Sequence, residues 1–247
     1  MILVVDVGNS FIKTAVFENN TILETQKNEY ENWQKNLKII LNNFKSIKEI
    51  VISSVGKIEK TTFETVFEGF TIHFISKNDL FPFKNLYATP ETLGIDRMVL
   101  SAGAVIQYPK KNRLVIDAGT CVTYDFIDEN DNYLGGAISP GIRLRYEALH
   151  NYTAKLPKLT IENPENIIGN STNNAIHSGV INGLTFEIDG YITSHFKQNK
   201  NFIIILTGGD ANFLSKRLKN TIFANSNFLL ESLNQTYQYN KQNVQKN

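Results

Sequence analysis

The sequence predicts an α/β protein built as two copies of one strand-rich plan, with a cleft between two similar lobes. Three observations lead there. Strands and helices alternate after an opening meander of strands. A stretch near the start recurs 111 positions later, and in both copies an apolar run ends on Asp-x-Gly followed by small polar residues.

Taken in order, Ile2 to Phe17 holds two β-rich runs around "DVGNS", with "ENN" as a turn and "TIL" as a third short strand. "ENWQKNLKIILNNF" sets Trp33, Leu37, Ile40, Leu41 and Phe44 at helical spacing. A strand "EIVISSV", a short helix around "EKTTFETVF" and a strand "FTIHFIS" follow. The helix predicted from "RMVLSAGAVIQY" carries Ser101, Ala102, Gly103 and Ala104, small residues that allow close packing either in the core or between subunits. From Leu114, "LVIDAGTCVTYDFIDENDNYL" lies on "LVVDVGNSFIKTAVFENNTIL", from Leu3, without a gap. Asp117 falls on Asp6, Gly119 on Gly8, Glu129 on Glu18, Asn130 on Asn19 and Leu134 on Leu23. The expected halves are residues 1–112 and 113–247. Beyond the repeat, "TNNAIHSGVINGLTFEIDGYITSHF" reads as a long helix, "NFIIILTGG" as a buried strand entering a glycine turn, and "DANFLSKRLK" as a helix capped by Asp210. The tail "NQTYQYNKQNVQKN" has little to bury and is expected to fray.

With 247 residues, 42% of them hydrophobic, the chain can bury a substantial core. Its 25 Lys and Arg nearly balance 24 Asp and Glu, so no whole-chain field favours nucleic acid or an anionic membrane, and neither is expected as a partner. One cysteine, Cys121, excludes an internal disulfide framework and reads as a small packing residue. The first apolar run stops at Asp6 without a basic flank, and no later segment reaches about 18 uninterrupted apolar residues. A cytoplasmic protein is expected.

Neither GxxxxGK[ST] nor GxGxxG occurs, so any phosphate cradle must be of another kind. In "DVGNS" and "DAGTCVT" a glycine permits a tight hairpin whose backbone N–H groups and small side chains can face phosphate oxygens. The strand-end aspartate can hold a cation or its water shell, and Lys13 adds positive charge. Either motif alone is an ordinary strand-to-turn transition; the pair points to a bound polyphosphate. His73, His150, His177 and His195 share no metal-ligand spacing, so no zinc site is expected.

The pairing of D-x-G-N-[ST] with D-x-G-T resembles the two phosphate motifs of the superfamily of acetate and sugar kinases, heat-shock chaperones and actin. "TLGIDR", "GGAISPGIRLRYEALHNYTAKLP" and "TGGDA" are similar to signatures of the type III pantothenate kinases, in matching order and spacing from Met1 to about Phe228. The resemblance implies two duplicated ribonuclease H-like, actin-like ATPase domains. It implies an ATP-dependent kinase that makes 4′-phosphopantothenate from pantothenate, the first step of coenzyme A synthesis. Carried over by position, Asp6, Val7, Gly8, Asn9, Ser10, Phe11, Ile12 and Lys13 bind ATP phosphates, and Thr120 adds a nucleotide contact. Asp117 matches the ligand of a monovalent cation, K⁺ or NH₄⁺, and Mg²⁺ accompanies the nucleotide. Tyr87, Gly94, Ile95, Asp96, Arg97 and Thr172 match the pantothenate pocket, with Asp96 as catalytic base. A homodimer is implied, with Thr172 serving across its interface. Ser10 stands where threonine is common and Asn170 where lysine is frequent.

The chemistry of the residues agrees. Phosphoryl transfer to an alcohol needs in-line positioning, neutralised phosphates and a carboxylate near the attacking hydroxyl. Asp96 supplies the last, while Arg97 can grip an acidic substrate bidentately or hold Asp96 in place. Read alone, "GIDR" is also a helix start with a local ion pair. The arginines of "RLRYEALH" can meet phosphate, a partner subunit or only solvent, and Gly208 and Gly209 either admit a nucleoside or turn the chain. Rival readings are a phosphatase acting on polyphosphate or nucleotide, and a non-catalytic regulatory relative.

Overall fold

β1 (Ile2–Val7) is buried along its whole length, as an almost unbroken apolar run requires of a strand covered on both faces. The computed structural model describes residues 1–55, 58–196, 202–220 and 222–244. β2 (Ile12–Glu18) and β3 (Thr21–Asn28) complete an antiparallel meander. After α1 (Trp33–Asn43) come β4 (Glu49–Ser54), parallel to β1, then α2 (Lys60–Val66) and β5 (Thr71–Phe74), parallel to β4. The order is β3-β2-β1-β4-β5. Leu3, Val5 and Val7 pack against Trp33, Leu37 and Phe63, so α1 and α2 close one face with the residues their helical period aligned. β6 (Lys84–Asn85) is followed by a 3-10 turn, Pro90–Thr92, and α3 (Ile95–Gln107).

The plan then repeats. β7 (Asn112–Ala118) pairs antiparallel with β8 (Cys121–Ile127), and β9 (Asn132–Pro140) lies beside β8. α4 (Ile142–Asn151) follows, then one helical run composed of α5 (Thr172–His177), a π-helical turn at Ser178–Asn182, and α6 (Gly183–Phe196). β10 (Phe202–Thr207) is parallel to β7; α7 (Ala211–Ser215) leads to β11 (Phe223–Ala224), parallel to β10. Five of the six strands of this second sheet, β9-β8-β7-β10-β11, follow the order of the first sheet, and β6 adds a sixth, parallel to β9. Asn201, where the sequence began the β10 strand, lies outside the described residues.

The superposition without a gap fails at one point. Val7 pairs with Ile12 but Ala118 with Val122, so the second hairpin turn is one residue shorter. Gly8 N–H accordingly donates to Phe11 O at 3.1 Å, whereas Gly119 N–H donates to Cys121 O at 2.9 Å. At the far turn the positive-φ position is Asn19 in one copy and Asp131 in the other, 112 positions apart.

Contacts divide the chain into one unit of residues 1–109, 131–133 and 227–247 and another of 110–130 and 134–226. The C-terminal segment therefore belongs with the first unit, unlike the 113–247 half read from the sequence. The expected frayed tail is α8 (Phe228–Val244), apart from residues 245–247, which lie outside the description. Composition misled because α8 buries polar side chains with partners. Asn240 Nδ2 donates to Leu80 O at 2.9 Å and its Oδ1 accepts from Leu80 N–H at 2.8 Å, and Asn234 Nδ2 donates to Asn19 O at 2.8 Å. Asn240→Ala orphans both Leu80 groups and should cost about 2 kcal/mol, read as a lowered denaturation midpoint. The small residues of α3 serve the core: a Cβ on Gly103 would stand 2.5 Å from Ser232 Cβ of α8. Among the described residues no helix is long and apolar enough to cross a membrane.

Candidate active site

The tip of the first hairpin brings together the residues its sequence singled out. Asp6 lies opposite Lys13 on β2 and opposite Ser53 on β4, so the three side chains share one face in a single cross-strand row. Asp6 is 5% exposed, and Ser53 Oγ is buried without a hydrogen-bond partner among the described residues. Val7 and Ile12 send their side chains into the core and have only backbone to offer a ligand. Gly8, Asn9, Ser10 and Phe11 form the turn, in which Asn9 is exposed. Lys27 Nζ stands 3.7 Å from the centre of the Phe11 ring.

Sequence reasoning missed Tyr30, whose hydroxyl donates to Gly8 O. Its phenol pKa is raised, first by burial and then by the negative charge of Asp6, so it remains a protonated donor through neutral pH. No local pattern marks it, because it follows β3 in a polar turn and reaches back 22 positions. Ser53 was legible only through the parallel register of β4 with β1.

The second hairpin repeats the row with different chemistry. Asp117 lies opposite Thr123 on β8 and Thr207 on β10, and both hydroxyl oxygens are buried without a hydrogen-bond partner among the described residues. Where the first copy has a lysine, the second has a neutral hydroxyl. Two segments brace the turn: Gly141 N–H donates to Thr120 O at 3.0 Å, and Asp210 N–H donates to Ala118 O at 2.9 Å. Gly208, at φ 97°, lies so close that a Cβ there would be 2.4 Å from Asp117 Oδ1. Gly208 thus turns the chain against the strand end. Cys121 is exposed, not the packing residue expected, because the shorter turn places it at the hairpin tip.

Within the first unit, Gly94 is the N-cap of α3 and Ile95 its first residue, followed by Asp96 in the first turn, where a carboxylate interacts favourably with the helix dipole. Asp96 Oδ1 accepts from Arg97 N–H at 2.8 Å. The Arg97 side chain is buried, with its guanidinium carbon 5.9 Å from the centre of the Tyr87 ring. Tyr87 in turn packs against Tyr133. Tyr87, Gly94, Ile95, Asp96 and Arg97 therefore form one local cluster.

Thr172 is the first residue of α5, behind Ser171, whose Oγ accepts from Asn174 N–H at 3.2 Å. It lines a cavity of about 710 Å³ in the second unit together with Arg145, Leu149, Leu156 and Ile176. The two arginines of α4 diverge. Arg143 faces solvent beside Glu147 at 3.7 Å, while Arg145 turns inward to Glu187 at 2.5 Å. Among the described residues no three of His, Cys, Asp and Glu converge on a point that could hold a metal ion.

Comparison with known proteins fits this geometry. Relatives named type III pantothenate kinase include those of Flavobacterium psychrophilum, 66% identical over 98% of this chain and 100% of the relative, and Flavobacterium johnsoniae, 64% identical over 97% and 98%. Among solved structures, a Baf family protein from Campylobacter jejuni matches with a TM-score of 0.65 at 20% identity, covering 97% of this chain and 99% of that one. Component A of the (R)-2-hydroxyglutaryl-CoA dehydratase of Acidaminococcus fermentans matches at 0.53 and 12% identity, covering 98% of each. At those identities the structures speak for the fold alone, and with the repeated strand order they make this a pair of ribonuclease H-like domains. The sequence model of the type III pantothenate kinases matches residues 2–194, and the chain belongs to that family.

Proposed function

We infer that this protein transfers the γ-phosphoryl group of ATP to the primary hydroxyl of pantothenate, giving 4′-phosphopantothenate and ADP, the first step of coenzyme A synthesis. The observation that carries the reading is membership of a kinase family over nearly the full chain, in a sequence that keeps Asp6, Asp96 and Asp117. The hydroxyl oxygen bonds to the γ-phosphorus as the bond to the β,γ-bridging oxygen breaks, and the hydroxyl proton passes to Asp96. Because the transition state is loose, Asp96 acts mainly by orienting the hydroxyl and accepting its proton late. The cluster of Tyr87, Gly94, Ile95 and Arg97 around it is the pantothenate subsite, and Thr172 a further contact to the same substrate.

The Gly8–Phe11 turn offers backbone N–H groups to the phosphates, Lys13 balances their charge, and Thr120 adds a contact from the second hairpin. Mg²⁺ brought with the nucleotide would sit near Asp6 and would supply positive charge against the phosphates. The buried Ser53 hydroxyl beside Asp6 fits such a hydrated ion, being a polar group that otherwise ends in the interior. Thr123 and Thr207 beside Asp117 likewise suit a monovalent cation, for which these oxygens would be donors and whose charge would stand in for that of Lys13 in the first copy. A homodimer belongs to the same reading, and exposed apolar side chains of the second unit, among them Tyr152 at 89% and Ile168 at 82% exposure, are open to a partner. The cytoplasm, where ATP is abundant and a lone thiol stays reduced, suits the reaction.

The test incubates the protein with ATP, Mg²⁺ and pantothenate in K⁺ or Na⁺ and weighs the product. Phosphopantothenate formed faster in K⁺ is expected. Phosphate released without pantothenate would favour the phosphatase reading, and no turnover in either salt a non-catalytic relative. Tyr30→Phe should leave kcat unchanged and weaken ATP binding about fivefold, since it removes one hydrogen bond of about 1 kcal/mol from the turn; titration of the nucleotide checks this.

A further inference from the structure

Arg145 makes more directed contacts than a cavity wall requires. Its Nε donates to Pro140 O at 2.8 Å, and its Nη2 to Ser139 Oγ at 2.8 Å and to Glu187 Oε2 at 2.5 Å. The other Glu187 oxygen accepts from Tyr124 OH at 2.8 Å. Burial alone would raise the Glu187 pKa, but hydrogen bonds from Arg145, Tyr124 and Ser139 and the charge of Arg145 outweigh it and hold the carboxyl below the usual range. Burial and the bond to Glu187 push the Tyr124 phenol far up, so it stays a donor. The network therefore keeps its charges across the neutral range.

What it holds is the turn Ser139–Gly141. That turn meets the second hairpin backbone to backbone: Gly141 N–H donates to Thr120 O at 3.0 Å, and a Cβ on Gly141 would be 2.1 Å from Gly119 O. With the two backbones bonded at this distance, a displacement of the turn bears directly on Thr120.

We propose that Arg145, held by Glu187 and Tyr124, is a positioning residue that fixes the Ser139–Gly141 turn and through it the Thr120 loop that contacts the nucleotide. The inference rests on the reading of Thr120 given above. It also accounts for an inward arginine at the edge of an apolar cavity. The planar guanidinium spans Pro140, Ser139 and Glu187 at once, which an ammonium cannot do.

The test compares Arg145→Met, Glu187→Met, their double variant, Arg145→Lys and Thr120→Val in the full chain, by thermal midpoint and by calorimetric titration with ADP and Mg²⁺. Each methionine single variant leaves a half-buried charge alone and should melt earlier, and the double variant should recover most of the midpoint. Its ADP affinity should nevertheless stay about tenfold weaker than that of the unaltered protein, because the loop is no longer held. Arg145→Lys, which keeps the charge and should fold, ought to show the same weakening, and Thr120→Val at least as much. Affinity that returns with the midpoint in the double variant would reduce the network to a stabilising one and overturn the proposal. So would an unchanged affinity in Arg145→Lys or Thr120→Val. Pantothenate turnover by the unaltered enzyme tests the substrate reading separately, and its failure would leave the ADP titration intact.

Discussion

Asp96→Asn should give a folded protein that still binds ATP but phosphorylates pantothenate about 10²–10⁴-fold more slowly. The expectation of an intact fold comes from the contact Asp96 makes. Its Oδ1 accepts from Arg97 N–H at 2.8 Å, and an asparagine Oδ1 in the same rotamer accepts equally well. Asparagine also has nearly the same shape, so the close approach of Gly94, where a Cβ would be 2.4 Å from Asp96 Oδ1, is unchanged. What disappears is the anionic oxygen proposed to orient the substrate hydroxyl and take its proton. The measurement is kcat beside the thermal midpoint and an ADP titration on the same preparation. Turnover close to that of the unaltered enzyme would remove Asp96 from the base role, while a collapsed midpoint would show that its carboxylate is needed for the fold.

Gly208→Ala should destabilise the protein by about 3 kcal/mol or more, the sum of an unfavourable backbone region and steric overlap. Gly208 sits at φ 97°, and its added Cβ would be 2.3 Å from Ala118 O and 2.4 Å from Asp117 Oδ1. The nearest neighbour is backbone, which cannot rotate away from the added carbon. It lies at the end of the central strand, and the other neighbour is the carboxylate of the second polar row. Relief of the clash by the backbone or the carboxylate moves Asp117, so the response of turnover to K⁺ proposed above should weaken along with stability. Gly209 is the control: it has open space around the added carbon, and Gly209→Ala should leave the urea midpoint nearly unchanged. Equal midpoints for both variants would show that the turn is not pressed against Asp117 as described.

Much of the fold was readable because its signals are local. The spacing of Trp33, Leu37 and Ile40 makes a helix whatever surrounds it, and the two Asp-x-Gly tips mark strand ends by the chemistry of a few neighbouring residues. The repeat was readable for the same reason, since each copy carries its own pattern. The one-residue difference between the hairpin turns was not, because it is set by which residues pair across the strands and not by residue type.

Other features were hidden by the same reliance on neighbours in sequence. α8 looked unfit to bury, since Asn234, Thr236 and Asn240 are polar, yet Thr236 bonds back to Ser232 O within the helix and the Asn234 and Asn240 amides donate to Asn19 O and Leu80 O once the helix is docked. Arg145 and Glu187 are 42 positions apart, and neither residue alone distinguishes a clamp from a solvated charge. Ser53 and Thr207 read as ordinary strand ends until the parallel registers set them opposite Asp6 and Asp117.

By itself the sequence determined the α/β class, the duplication, the family and the identity of the three aspartates, all of which rest on side-chain type and short-range spacing. The tertiary structure alone decided which polar groups are buried with partners, which chain end completes the first unit, and which hydroxyls line each aspartate row. The physical reason is that a hydrogen bond or a register between distant segments forms only after the chain has folded, so no stretch of sequence carries it alone.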